Sequence, residues 1–170
     1  MTLLRILLIV VLALGVASGC RKRVEVVNNN PSPPSVALYE YGFIDSYGVD
    51  SEDYPNEPLT VDPYIDEGLF EVYWQATANQ HYTFYLSVGS SREIDESEVI
   101  YSESCGPNQS CGRTGYLICA YSTDFYVSCA GEPWADIAHM FLQVPERLYV
   151  FAEVCNSFTC NYDRRTVYFE

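Results

Sequence analysis

Apolar and polar residues alternate with a two-residue period along the middle of the chain. Two runs show this, and Asn79 and Gln80 supply a turn between them. Their apolar positions are Phe70, Val72, Trp74 and Ala76 in the first run and Tyr82, Phe84, Leu86 and Val88 in the second. Successive side chains of a strand point to opposite faces. The pattern therefore predicts two strands that each bury one face.

Further short apolar runs predict the other strands of an all-β domain. Segments rich in Gly, Pro, Asn and Asp separate these runs, which is typical of turns. We expect strands or hairpins within residues 36–44, 99–102, 116–130, 141–144, 148–154 and 166–169, and one helical turn within residues 134–139. Many short strands joined by turns indicate a sandwich or a barrel.

The two alternating runs, Phe70-x-Val-x-Trp74 and Tyr82-x-Phe-x-Leu-x-Val88, resemble strands B and C of a fibronectin type III domain. Residues 141–150 are similar to that family's E strand, leucine-proline corner and F strand. The resemblance implies an antiparallel β-sandwich of the fibronectin type III or immunoglobulin-like class over residues 36–170. Residues 92–134 exceed what the family needs, so we expect a disulfide-bonded hairpin to be inserted there.

Six cysteines follow residue 20. This even number indicates disulfides if the chain is exported. Cysteines that are neighbours in sequence either flank a turn-rich loop or lie symmetrically about a predicted hairpin turn. We therefore predict the pairs Cys105–Cys111, Cys119–Cys129 and Cys155–Cys160. The alternative, a metal or redox site, lacks a Cys-x-x-Cys motif, and His81 and His139 are not at ligand spacing. We expect no metal site and no cofactor.

The first 20 residues resemble a bacterial lipoprotein signal peptide. After Arg5 the apolar run of residues 6–16 ends at Ala17-Ser18-Gly19-Cys20, and it is shorter than the roughly 20 residues of a membrane-spanning helix. The resemblance implies cleavage before Cys20, diacylglycerol on its sulfur and an acyl chain such as palmitate on its amino group. We therefore expect a signal peptide in residues 1–19, a lipidated cysteine and flexible tether in residues 20–35, and the β-domain in residues 36–170.

The residue after the lipidated cysteine gives an expectation about location. In lipoproteins an Asp at this place favours retention in the inner membrane, whereas this chain has Arg21. The resemblance therefore implies an outer-membrane lipoprotein of a Gram-negative cell. The membrane is the first expected partner, through the lipid anchor.

Charge narrows the class of any further partner. The chain has 9 basic and 23 acidic residues and a formal net charge of −14, which excludes a nucleic-acid surface because phosphates require Lys and Arg. Acidity keeps an exported protein soluble and also suits a basic partner.

Residues 45–67, here called the acidic segment, contain no Lys or Arg. They form either a calcium loop or a solvated loop, and the missing EF-hand order favours the solvated loop.

Fifteen tyrosines are the one excess in the composition. Tyr73, Tyr85 and Tyr149 alternate to the less buried side of their strands and are candidate binding residues, because tyrosine suits protein or glycan surfaces. The ordinary preference of tyrosine for strands explains the excess as well.

The chain contains none of the common catalytic motifs, so we predict no catalytic residues and no enzyme. We favour a non-enzymatic binding or structural module of the cell envelope. Two alternatives remain open. One is an inhibitor or scavenger of a basic extracellular protein such as a lysozyme, and the other is a glycan hydrolase that uses paired carboxylates, with Asp66-Glu67 or Asp95-Glu96-x-Glu98 as the acidic clusters.

Overall fold

The computed structural model describes residues 35–106, 111 and 114–170. The predicted signal peptide, Cys20 and residues 21–34 of the tether lie outside the described residues. Within the described ranges there is no helix with the length and hydropathy needed to cross a membrane. The described strands are β1 Val36–Ile44, β2 Leu59–Val61, β3 Leu69–Ala78, β4 Tyr82–Gly89, β5 Glu98–Cys105, β6 Thr114–Tyr121, β7 Tyr126–Cys129, β8 Ala135–Asp136, β9 Glu146–Cys155 and β10 Cys160–Phe169.

The strands form two five-stranded sheets. The first sheet has the order β1, β3, β6, β7, β8, and the second has the order β2, β10, β9, β4, β5. The apolar faces of the two sheets meet in one core, where the Trp74 indole of β3 stacks on the Phe84 ring of β4 with their centroids 3.5 Å apart. The predicted all-β sandwich is therefore confirmed.

The alternation that predicted β3 and β4 matches their burial. Apolar side chains of β3 from Phe70 to Ala76 are buried, and so are those of β4 from Tyr82 to Val88. These two consecutive strands lie in different sheets. With β9 between β10 and β4, the pairing order matches strands A-B-E on one side and G-F-C-C′ on the other in an immunoglobulin-like sandwich.

The strand predicted at residues 141–144 is wrong. These residues form an irregular connection before β9, and the Leu142 side chain is 95% exposed. The place beside β3 belongs instead to β6, the first strand of the disulfide-bonded hairpin. β6 alternates buried and exposed residues over its whole length, whereas residues 141–144 lack this alternation and run into Pro145, which has no backbone N–H to donate.

One pairing is parallel. β2 lies within the acidic segment and pairs with the end of β10, so that Val61 is opposite Phe169. The remaining neighbours in both sheets are antiparallel. The predicted antiparallel sandwich thus gains a parallel edge strand that no alternation in the sequence indicated.

The structure contains the three cysteine pairs of the sequence analysis as disulfides. Cys105–Cys111 closes the loop after β5 with its Cα atoms 5.0 Å apart. The other two bonds join residues directly opposite each other in a ladder, Cys119–Cys129 across β6 and β7 and Cys155–Cys160 across β9 and β10. Symmetry about a turn predicts such pairs because hairpin partners face each other.

Candidate functional site

A buried carboxylate organises the acidic segment. The Asp45 side chain accepts hydrogen bonds from three backbone amides, those of Tyr47, Val49 and Thr60, at 2.9, 2.8 and 2.8 Å. Asp45 is only 5% exposed. Because Thr60 belongs to β2, the carboxylate joins the turn after β1 to the edge of the second sheet. The prediction of a solvated loop is therefore wrong for Asp45.

Two further carboxylates of the acidic segment also accept hydrogen bonds from the protein. Buried Asp62 accepts them from the Tyr47 hydroxyl at 3.0 Å and the Tyr64 amide at 2.8 Å. Asp50 accepts one from the Tyr73 hydroxyl at 2.8 Å. Burial, together with this bond to Asp50, raises the pKa of Tyr73. The candidate binding residue Tyr73 is thus engaged within the domain.

The outer side of the acidic segment is exposed. Its carboxylates Asp53 and Glu57 are exposed, and so are the aromatic side chains of Tyr54 and Tyr64, the latter 82% exposed. The buried aspartates hold the backbone from which these side chains project. The result is a fixed acidic and aromatic surface.

Arg165 of β10, in the second sheet, contacts both β1 of the first sheet and the acidic segment. Its guanidinium lies over the Tyr41 ring, 4.8 Å from the centroid, and pairs with Asp163 at 2.8 Å and with Glu52 at 2.5 Å. It also donates to the backbone carbonyl of Tyr41. Arg165 therefore has a structural role, fixing β10 against β1 and the acidic segment.

A different environment surrounds Tyr149. Alternation places it on the outer face of β9, as predicted, yet its side chain is only 4% exposed. Three arginines, here called the arginine cluster, cover the ring, and their guanidinium carbons each lie 6.0 Å from its centroid: Arg92, Arg147 and Arg164. Tyr149 is therefore not an exposed platform but the centre of a positively charged surface.

Strand geometry explains why these side chains meet. Arg147 lies two residues before Tyr149 in β9, so both point to the same face. Thr166 of β10 is the direct partner of Tyr149, and Arg164 is the diagonal neighbour on that face. Arg92 comes from the connection between β4 and β5. Its Nε donates to the Tyr149 hydroxyl at 3.1 Å, and its carbonyl accepts from Arg164 at 3.3 Å.

The positive charge of the arginine cluster acts on Tyr149. The Arg92 hydrogen bond lowers the pKa of Tyr149, and the charges of Arg147 and Arg164 act in the same direction. In the described part of the chain, the ion pairs involve Arg165 and His139, and none involves the arginine cluster. Its guanidinium groups can therefore donate hydrogen bonds to an anion.

The other sequence candidates lie apart from these two surfaces. Tyr85 is half-buried on the outer face of β4, opposite Glu153. His81 is exposed, and His139 pairs with Glu98 at 3.0 Å where both side chains are more than half exposed. In the two acidic clusters, residues 66–67 and 95–96 lie in exposed 3₁₀ turns, and Glu98 begins β5.

Sequence reasoning missed the arginine cluster. A partial signal was present, because Arg147 directly precedes the strand predicted within residues 148–154 and lies two residues before Tyr149. The contribution of Arg92 depends on the path of a connection that no local pattern encodes.

No family model, curated protein or solved structure matches this chain.

Proposed function

We propose that this protein is a membrane-anchored, non-enzymatic binding module of the cell envelope, held at the outer membrane by a lipid on Cys20. The resemblance of residues 1–20 to a lipoprotein signal peptide supports the anchor. The observation that carries the binding role is the acidic segment, whose buried Asp45 and Asp62 fix an exposed surface of carboxylates and tyrosines. A surface that is ordered before it meets its partner loses less conformational entropy on binding.

The anchor predicts a specific chemical label. In cells supplied with labelled palmitate, the full chain should carry the label and appear in the outer-membrane fraction. Cys20→Ala should remove the label, because the sulfur is the attachment point for the first lipid and acylation follows it. Ser32→Ala in the tether is the matched control and should keep the label. Label on the Cys20→Ala chain, or none on the wild type, would exclude this anchor.

A second candidate function specifies the partner as a basic extracellular protein. Exposed carboxylates beside exposed tyrosines favour it, since the charges speed the encounter and the aromatic rings supply contact area. The uneven charge of the chain supports the same interpretation, because only five arginines after residue 24 oppose the acidic residues. Capture of a basic protein is therefore the form of binding that the acidic segment suits best.

Site-specific photo-crosslinking in cells tests this surface. We expect a photo-reactive phenylalanine analogue at Tyr64 to form an adduct with a basic protein. The yield should fall as salt is raised, because exposed charges are screened. Phe158 is the matched control, since it is also exposed and lies beyond the other end of β10, which is about 30 Å long. Equal adducts at both positions, or none at Tyr64, would contradict the proposal.

A further inference from the structure

The geometry points to a second binding site on this domain: we propose that Arg92, Arg147 and Arg164, arranged around Tyr149, bind a phosphate group. This site lies on the outer face of the second sheet and is separate from the acidic segment. It does not depend on the proposed function, because it recognises an anion where the acidic segment attracts cations.

The distribution of charge is the first argument. The chain has nine basic residues, four of which precede residue 24, and three of the other five form the arginine cluster. Like charges repel, and the chain has 23 acidic residues, yet no ion pair among the described residues involves the cluster. The three guanidinium groups nevertheless gather around one ring. Such concentration of positive charge on an acidic domain is typical of a site built for an anion.

The second argument is how the cluster is held. Two hydrogen bonds hold Arg92 in place. Its side-chain Nε donates to the Tyr149 hydroxyl, and its backbone carbonyl accepts from the Arg164 guanidinium. A guanidinium has five N–H donors, so Arg92 keeps its two Nη groups for a ligand. Arg147 adds a third exposed guanidinium from β9. The cluster therefore offers pre-positioned donors from three separate segments.

The third argument identifies the class of ligand. Planar guanidinium forks match the oxygens of phosphate and carboxylate groups. A phosphate monoester carries about −1.5 to −2 charges near neutral pH and three acceptor oxygens, whereas a carboxylate carries one charge. Three cations on a domain that otherwise repels anions favour the more highly charged group. A phosphorylated small molecule and a lipid headgroup both present this chemistry.

Titration calorimetry on the full chain in an uncharged detergent tests the proposal. Two soluble probes distinguish the sources, inorganic phosphate and a short-chain phosphatidic acid kept below its micelle concentration. Saturable binding of both probes would indicate recognition of the phosphate group itself. Binding of the short-chain lipid alone would indicate a headgroup site. Binding of neither probe would overturn the proposal.

Variants locate the binding. Arg147→Gln and Arg164→Gln should each weaken it by about tenfold, because each removes charge-assisted hydrogen bonds. Arg147→Lys should restore only part of the affinity, since lysine keeps the charge and loses the fork. Arg113→Gln removes the same charge from an arginine that is not one of the three of the cluster, and it should leave the affinity unchanged. If all the arginine variants behaved alike, binding would reflect net charge and the site would be refuted.

Tyr149→Phe tests the positioning of Arg92. It removes the hydroxyl that accepts from Arg92 Nε and retains the ring that the arginines cover. We expect weaker phosphate binding with an unchanged urea midpoint of unfolding. Unchanged phosphate affinity would show that Tyr149 does not position Arg92 for the ligand.

Discussion

The Gly115→Val chain is expected to lose about 3 kcal/mol of its free energy of unfolding, the upper part of the range for overpacking a core. Gly115 of β6 is directly opposite Trp74 of β3. A Cβ atom at Gly115 would fall on the six-membered ring of the Trp74 indole. The indole has no room to move, because it is fully buried and stacked on Phe84. Urea denaturation followed by tryptophan fluorescence measures the loss.

Thr114→Val is the matched control for this prediction. It places the same side chain on the preceding residue of β6, which is exposed, and exposed substitutions usually change stability by less than about 0.5 kcal/mol. A Gly115→Val chain that unfolded at the wild-type urea concentration would show that the indole does not occupy the space above Gly115. The stacked arrangement of Trp74 and Phe84 would then be wrong.

Asp45→Ala is expected to destabilise the domain by about 3–5 kcal/mol, because three part-buried backbone amides lose the carboxylate that accepts their hydrogen bonds and each unsatisfied group costs about 1–3 kcal/mol. The affected amides belong to Tyr47, Val49 and Thr60. The change acts first on the acidic segment, so hydrogen exchange should show lost protection there together with a lower urea midpoint for the whole domain.

The control for Asp45→Ala is Asp53→Ala in the same acidic segment. Asp53 is exposed, so its removal should change stability by less than about 0.5 kcal/mol. This pair separates burial from charge, since both variants remove one carboxylate. If the two variants were equally stable, Asp45 would be a solvated carboxylate and the sequence-based interpretation of the segment would hold after all.

Local sequence patterns predicted the structure correctly where the information lies within one strand or one hairpin. The two-residue period between Phe70 and Val88 predicted β3 and β4, because burial of one face is written into each strand. The pairs Cys119–Cys129 and Cys155–Cys160 were predictable for a similar reason, since each closes a hairpin whose turn is marked in the sequence. In these cases the information lies within about ten residues.

Local patterns failed where partners come from distant segments. Three of the residues 141–144 are apolar, and a proline follows them, which resembles the end of a strand. The strand that pairs with β3 is instead β6, which has the longer alternation. The burial of Asp45 depends on Thr60, and β2 depends on the end of β10. Nothing in a short window distinguishes a solvated aspartate from one that caps three amides.

Only part of the arginine cluster could be predicted from the sequence. Arg147 and Tyr149 share a face of β9, which follows from the period of a strand once β9 begins at Glu146, before the strand predicted within residues 148–154. The approach of Arg164 requires the register between β9 and β10, and that of Arg92 requires the fold of a connection. Candidate binding residues chosen by exposure alone therefore included Tyr149 and omitted the arginines that cover it.

The parallel pairing of β2 with β10 has a consequence for biogenesis. β10 is the last of the ten strands to be synthesised, and β2 has no other strand partner among the described residues. The acidic segment therefore stays without its sheet until β10 has been synthesised and lies between β9 and β2. A chain that stops before β10 would lack the ordered acidic surface. The proposed binding through that surface would then be restricted to molecules that have finished folding.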